Sequence, residues 1–281
     1  GFEDRWNKKL ILKKKLINSI ENNFIKFGFE PLETPSFEIS ENIGSFLADD
    51  DSNPMSDVFS FKDGEKDITL RYDLSSPLAR FVAQNNQELP LPYKRYAIQN
   101  VFRNEKAGNA RYREFTQADC DIVGNVNPAQ ANAELCNLII STLFACGLKK
   151  NKFVVNISNR KIIQGLIEDL KISENKKIKV MRAIDKLDKP GFGLKGVEDL
   201  LKKERVDGSG AVTKGADLTD DEASQIINFL KVKDLKDLKE NLKNPLSQEG
   251  IKELEDLLEV ASYSNYLDQI KTNFTIVRGL A

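Results

Sequence analysis

Three arginines, Arg103, Arg111 and Arg113, stand within eleven residues of one another and flank a short loop, Lys106-Ala107-Gly108-Asn109-Ala110. Strand-like runs lead into and out of that loop, Tyr96 to Arg103 before it and Phe115 to Val123 after it. Side chains on a strand alternate between faces. Gln99, Val101 and Arg103 therefore share one face of the first run, and Gln117, Asp119 and Asp121 share one face of the second. Paired as a hairpin, the runs put a permanently charged guanidinium beside an amide and carboxylates on one sheet surface. Such a surface suits a nucleotide phosphate lying next to a small zwitterion. Each residue taken singly also fits an ordinary hairpin with a solvated, charge-laced face.

Other elements must hold that hairpin. Leu12, Leu16, Ile20 and Phe24 recur every four residues, with Ile17 and Phe27 beside them, which predicts an amphipathic helix closed by Gly28. Phe29 to Pro35 then reads as an extended, proline-marked segment. Val58–Phe61 and Ile68–Tyr72 read as strands around an Asp63-Gly64 turn. The second of them runs into Leu70-Arg71-Tyr72-Asp73-Leu74-Ser75-Ser76-Pro77, where Asp73 fits a turn or cap acid before a helix from Leu74 to Ala83. Asn127-Pro128 opens another helix, with Leu135, Leu138, Ile139, Thr142, Leu143 and Cys146 as its buried stripe and Gly147 at its end. A strand from Phe153 to Ile157 and a helix from Asn159 follow. From Ile172 to Tyr266, Lys, Glu, Asp and Leu dominate in a helical pattern broken at Asp207-Gly208-Ser209-Gly210 and Asn244-Pro245. Phe274 to Ala281 reads as a strand.

Composition narrows the chemistry. The 281 residues contain no histidine, which removes His-ligated zinc, His-based general base catalysis and Ser-His-Asp triads. Reactions must rest on carboxylates, Lys, Arg, backbone groups or a bound ion. The net charge of −1 gives no bulk argument for nucleic acid, so a nucleic-acid partner needs local patches such as Lys13-Lys14-Lys15 or Lys149-Lys150 with Lys152. Three cysteines without CxxC spacing fit a reduced, cytosolic setting. No apolar run reaches membrane-spanning length, and the start lacks both a signal pattern and an initiating Met, so a trimmed N-terminus is expected. Gly191-Phe192-Gly193-Leu194-Lys195-Gly196 matches G-x-G-x-x-G, but no strand precedes it, so it does not make a dinucleotide site.

Taken together, Phe102-Arg103-x-Glu105, the loop, Arg111-Tyr112-Arg113-Glu114-Phe115-x-Gln117 and the acid at Asp121 resemble the second signature motif of the class II aminoacyl-tRNA synthetases, and within that family the histidyl enzymes. The helix followed by Phe29–Pro35 resembles motif 1, with Pro35 as its dimer-interface proline. Leu70-Arg71-x-Asp73-x-Ser75 resembles the family's LR-x-[DE]-x-T. The strings at Ala183–Lys189 and Thr213–Ala216 resemble the insertion of the bacterial histidyl enzymes. Val277-Arg278-Gly279-Leu280 resembles a string that the family continues into a tyrosine-bearing segment.

The resemblance implies an α+β fold, a class II antiparallel sheet flanked by helices with a helical insertion domain. Residues 1–171 would carry motifs 1 and 2, residues 172–266 the insertion, and residues 267–281 a return to the catalytic sheet. It implies ATP-dependent activation of histidine, with Mg²⁺ accompanying ATP, and transfer to tRNA(His) by a cytoplasmic homodimer. Arg103 and Arg278 would be catalytic. Arg103, Glu105, Arg111 and Arg113 would meet ATP. Asp73, Ser75, Gln117, Asp121 and Arg278 would meet histidine, and the insertion would contact the tRNA acceptor arm. The family's pocket tyrosines, motif 3 arginine and anticodon-binding domain do not occur in this stretch, so a fragment of a longer chain is expected. Two alternatives share the motifs: a synthetase-like histidine-sensing regulatory subunit of ATP phosphoribosyltransferase, and a non-catalytic dimerisation fragment.

Overall fold

The structure, a computed structural model, describes residues 1–43, 58–108, 111–206 and 212–277. The chain divides into two compact units, Gly1–Asn127 with Ser141–Leu148, and Pro128–Ile140 with Lys149–Ala281.

In the first unit, α1 (Asn7–Lys26) leads through Gly28, whose φ of +77° suits a residue without Cβ, into β1 (Glu30–Pro31). Next come β2 (Phe37–Ile39), α2 (Ser40–Ile43), β3 (Ser60–Asp63), β4 (Lys66–Leu70) and α3 (Ser75–Asn85). A long hairpin follows, β5 (Tyr93–Phe102) and β6 (Glu114–Val123). β1 pairs parallel with β5, and β5 pairs antiparallel with β6 over ten residues from Tyr93↔Val123 to Phe102↔Glu114. α1 serves one face of this sheet. Phe24 packs on Tyr96, the Tyr96 hydroxyl donates to Glu21, and Lys94 Nζ donates to Phe27 O. Ala97, Val101 and Leu74, with Phe115 against them, form an apolar cluster on the other face.

Four details depart from the periodicity. The α1 stripe is not wholly inward: Phe24 is buried, but Leu12 and Leu16 are exposed. The hairpin of β3 and β4 is shifted, with Asp63 pairing Lys66, so that Gly64 (φ +61°) and Glu65 form the turn. The helix α4 (Pro128–Ala145) buries Ala133, Cys136, Leu138 and Ile140, whereas Ile139 is exposed. Over 274–277 the expected terminal strand is absent and residues 278–281 lie outside the described residues; a strand lies earlier, at Ile270–Thr272, after which Asn273 Oδ1 accepts from the Thr275 amide and hydroxyl in a local turn.

The small sheet β2-β4-β3 is inverted relative to the usual binary pattern. Glu38 and Thr69, which pair across it, are buried, while Phe37, Ile39 and Phe61 are exposed. Glu38 is neutralised by a two-pronged bond from Arg80, with both N···O distances 2.8 Å.

The second unit contains β7 (Val155–Ile157), α5 (Arg160–Asp169), α6 (Glu174–Ile184), α7 (Gly193–Lys202), β8 (Arg205–Val206), β9 (Val212–Thr213), α8 (Asp220–Lys231), α9 (Leu235–Asn241), α10 (Pro245–Ser262) and β10 (Ile270–Thr272). Asn159 caps α5 and Asn244 caps α10, whose Pro245 sits in the first turn. One apolar core runs through α5 to α10 and takes in Phe274 and Val277. β10 pairs parallel with β7, Ile270 opposite Val155. The glycine-rich string at 191–196 enters α7 from helix and turns, not from a strand. The break at residues 207–210 lies outside the described residues. No described helix is long and apolar enough to cross a membrane.

Candidate functional site

The register of the hairpin decides which side chains share a surface. Gln99 pairs with Gln117, Ala97 with Asp119, and Arg95 with Asp121. Directly paired residues on antiparallel strands point to the same side. Gln117, Asp119 and Asp121 therefore line the same face as Gln99, Val101 and, just past the strand end, Arg103. The pairing extends to Arg103, whose amide donates to Arg113 O at 2.8 Å.

A segment from β4 to α3 is laid against this face. Buried Arg71 fastens it, donating to Asn100 O at 2.6 Å, Thr34 O at 2.7 Å and Pro35 O at 3.3 Å. The Phe102 amide returns a bond to Arg71 O. Tyr72, Asp73 and Leu74 are thereby delivered to the site. The Arg103 guanidinium lies against two rings, 4.5 Å from the Tyr72 centroid and 5.1 Å from that of Phe115, with Nε 3.4 Å from Tyr72 O. Aromatic faces attract a cation and flatten its motion to a plane. Glu105 accepts from the Tyr72 hydroxyl at 3.0 Å and pairs with Arg111, so the loop's two ends are tied across its mouth. Arg113 instead packs over Phe59 and Phe2 and donates to Asn104. Asn109 and Ala110 at the loop tip, and Arg278, lie outside the described residues.

Asp73 accepts from the Ser76 amide at 3.0 Å, a helix-entry contact of the kind its position suggested, and Ser75 opens α3 exposed to solvent. Gln99 bonds Thr34 through both ends of its amide, whereas Gln117 Oε1 is buried without a hydrogen-bond partner. Pro35 contributes its carbonyl to Arg71.

One residue of this face escaped sequence reasoning. Arg95 is fully buried (0% exposed), and its Nη2 meets Leu74 O at 2.9 Å, Asp119 at 3.2 Å and Asp121 at 2.7 Å. The Asp121 contact is close enough for an ion pair but lacks hydrogen-bond alignment, so it is electrostatic in character. Burial pushes the Asp121 carboxyl above its usual range; Arg95 pulls it back down, and Asp119 and Asp73 push it further up. On the opposite face, burial raises the Cys120 thiol to about 11, which keeps it a thiol at neutral pH and unreactive. A strand position filled by arginine reads as solvent-facing; only the paired acids Asp119 and Asp121 hinted at a buried cation between them.

Chemically, the face offers an aromatic-clamped guanidinium at one end and a cluster of acids at the other, with amides between. An anion and a cation held side by side would each find a counter-charge. Among the described residues, no group of three or more His, Cys, Asp or Glu side chains is placed to hold a metal ion.

Comparison with known proteins agrees with the motifs. Histidine–tRNA ligase of Pelagibacter ubique is 88% identical over all 281 residues, and the chain spans 60% of that relative's length. A crystal structure of histidyl-tRNA synthetase from a Nostoc species superposes with a TM-score of 0.79 at 24% identity, covering 99% of this chain and 61% of that one. An ATP phosphoribosyltransferase regulatory subunit/histidyl-tRNA synthetase from Bacillus halodurans gives the same TM-score at 21% identity, covering 99% and 67%. At those identities the two structures speak to fold alone. The family model described as histidyl-tRNA synthetase matches residues 1–211, well over half the chain. The chain belongs to the histidyl-tRNA synthetase family.

Proposed function

We propose that this chain is the catalytic-domain portion, carrying motifs 1 and 2, of a histidine–tRNA ligase. The observation that supports this most directly is the shared face of β5 and β6, with Arg103 clamped at one end and Asp121 at the other. In the proposed reaction the histidine carboxylate attacks the α-phosphate of ATP, giving histidyl-adenylate and pyrophosphate. The terminal ribose hydroxyl of tRNA(His) then attacks the acyl carbon of the adenylate, forming the histidyl ester and releasing AMP.

Negative charge builds on phosphorus in the first step, so the protein's work is positioning and neutralisation. Arg103 grips the α-phosphate and carboxylate, because its fork stays charged and its plane is held by the Tyr72 and Phe115 rings. Arg278 supplies a second cation there, by family resemblance. Glu105, Arg111 and Arg113 meet the nucleotide, and Arg111 is paired with Glu105. Asp73 and Ser75 receive the α-amino group, Gln117 lies by the substrate carboxylate, and Asp121 accepts a ring N–H of the imidazole. Mg²⁺ enters as the counter-ion of the nucleotide phosphates, and no resident ion is assigned to the described residues.

Residues 172–266 are proposed as the insertion that meets the tRNA acceptor arm, between a motif-bearing part over 1–171 and the return over 267–281. The exposed apolar faces of α1 (Ile11, Leu12, Leu16) and of the inverted sheet (Phe37, Ile39, Phe61) support a homodimer through the motif 1 region. A cytoplasmic location follows from the proposed role. The test is ATP–pyrophosphate exchange with the whole-length protein against all twenty amino acids. Exchange with histidine alone is the expected result. Histidine binding without exchange would point to a synthetase-like regulator, and neither would point to a dimerisation module.

A further inference from the structure

The buried Arg95 has no part in the roles assigned above. A fully buried guanidinium is costly unless its charge is matched and its protons are placed. Its Nη2 meets three acceptors, while Nε and Nη1 are buried without hydrogen-bond partners. A side chain under-satisfied in this way is a poor fastener for stability alone, since an apolar residue of similar length would fill the same place without stranding donors. What it does achieve is local. It draws two carboxylates of one strand, Asp119 and Asp121, onto a single nitrogen, and it ties that nitrogen to the carbonyl of Leu74, the residue after Asp73.

We propose that Arg95 is a positioning residue for amino-acid specificity, holding Asp121 at a fixed place and orientation for the imidazole and holding the Asp73 segment in register with it. This rests on the reading of Asp121 and Asp73 as histidine-binding groups. Arg95 is shared by Asp119 and Asp121, and Asp73 acts on Asp121 from the segment before α3, so acids outnumber the cation here. A ligand bringing an ammonium group and a ring N–H matches that balance. The groups facing Asp121 are Arg95 from β5, Asp119 from its own strand and Asp73 from the segment before α3. The neighbouring Cys120 is turned to the other face. Of these groups only Arg95 favours the ionised carboxylate. Removing it should let Asp121 hold its proton to higher pH, and histidine capture should fail at higher pH in step.

The experiment uses the whole-length protein and reads ATP–pyrophosphate exchange while histidine, ATP and pH are varied in turn. Wild-type protein that shows no histidine-dependent exchange defeats the functional reading itself, before any variant is made. Given exchange, Arg95→Met should raise the histidine KM by roughly tenfold or more and leave the ATP KM within about twofold, the signature of one misplaced contact group. It should also move the acid limb of kcat/KM for histidine upward. Equal effects on both substrates, or an acid limb that stays put, would overturn the proposal and leave Arg95 a structural ion pair. Arg95→Lys keeps the buried charge and decides the matter even where the Met variant does not fold. It should hold the acid limb in place yet raise the histidine KM severalfold, because a lysine ammonium ends one bond short of the place where Nη2 meets Leu74 O, Asp119 and Asp121. An unchanged histidine KM in Arg95→Lys overturns the proposal.

Discussion

Arg103 and Asp121 sit on one face because the strand period is two and both strands are read in one register. Their different surroundings give them different expected failures. Arg103→Ala in the whole-length protein should slow adenylate formation by roughly 10²–10³, the scale for losing one positioned charge donor. Near-wild-type pyrophosphate exchange in that variant would refute its role. Asp121→Asn should weaken histidine binding more than ATP binding, which isothermal titration of the two ligands separately would resolve; equal loss for both would count against ring recognition. Alternation alone groups Gln99, Val101 and Arg103 on one strand and Gln117, Asp119 and Asp121 on the other; that the two groups share a face is settled by the pairing register. The burial of Arg95 could not be read from the sequence, because alternation assigns a residue to a face without saying what covers that face. The same gap explains the exposed Ile139 and the partly exposed α1 stripe. A helical period finds an apolar stripe, but burial depends on which neighbour arrives to cover it.

Among the elements, the pair α5 and α10 shows how closely two helices can approach when glycines line the seam. A Cβ added at Gly165 would lie 2.7 Å from the Ser247 amide nitrogen and 2.2 Å from its hydroxyl oxygen, and one at Gly250 would lie 3.1 Å from the Ile162 amide nitrogen. Ser247 is itself fully buried and bonds across the seam to Ile162 O at 2.8 Å. Alanine ordinarily stabilises a helix by about 1 kcal/mol over glycine. At Gly165 it should instead destabilise by about 1–3 kcal/mol, since backbone must move to admit it. Urea denaturation checks this, and a stabilised Gly165→Ala would show the helices to be looser than described. At the start of α8, Thr219 and Glu222 form a reciprocal capping box, so Thr219→Ala should cost about 1 kcal/mol. Thermal melts of the two proteins would reveal an absent effect. That box, Thr-x-x-Glu ahead of an apolar helix, was present in the sequence. The Asn273 turn that ends β10 was not distinguishable there from the strand it interrupts, because a side chain bonding to backbone two residues on overrides β-propensity without changing the apolar pattern.

For the whole molecule, the large apolar core lies in the second unit, while the first carries a small cluster around Leu74, Ala97 and Val101 together with its polar site. Phe37 and Phe61 meet edge to face with centroids 5.7 Å apart and remain about half exposed, at 57% and 49%. Replacing Phe61 with Asp should shift the whole-length protein toward monomer in sedimentation velocity; an unchanged sedimentation coefficient at micromolar protein would place the subunit contact elsewhere. In the proposed homodimer, a sheet that keeps its acid and threonine inside and its phenylalanines outside ties folding to mass action. The midpoint of thermal unfolding should climb as the protein is concentrated, and dilution alone should leave the phenylalanine face bare and prone to indiscriminate adhesion.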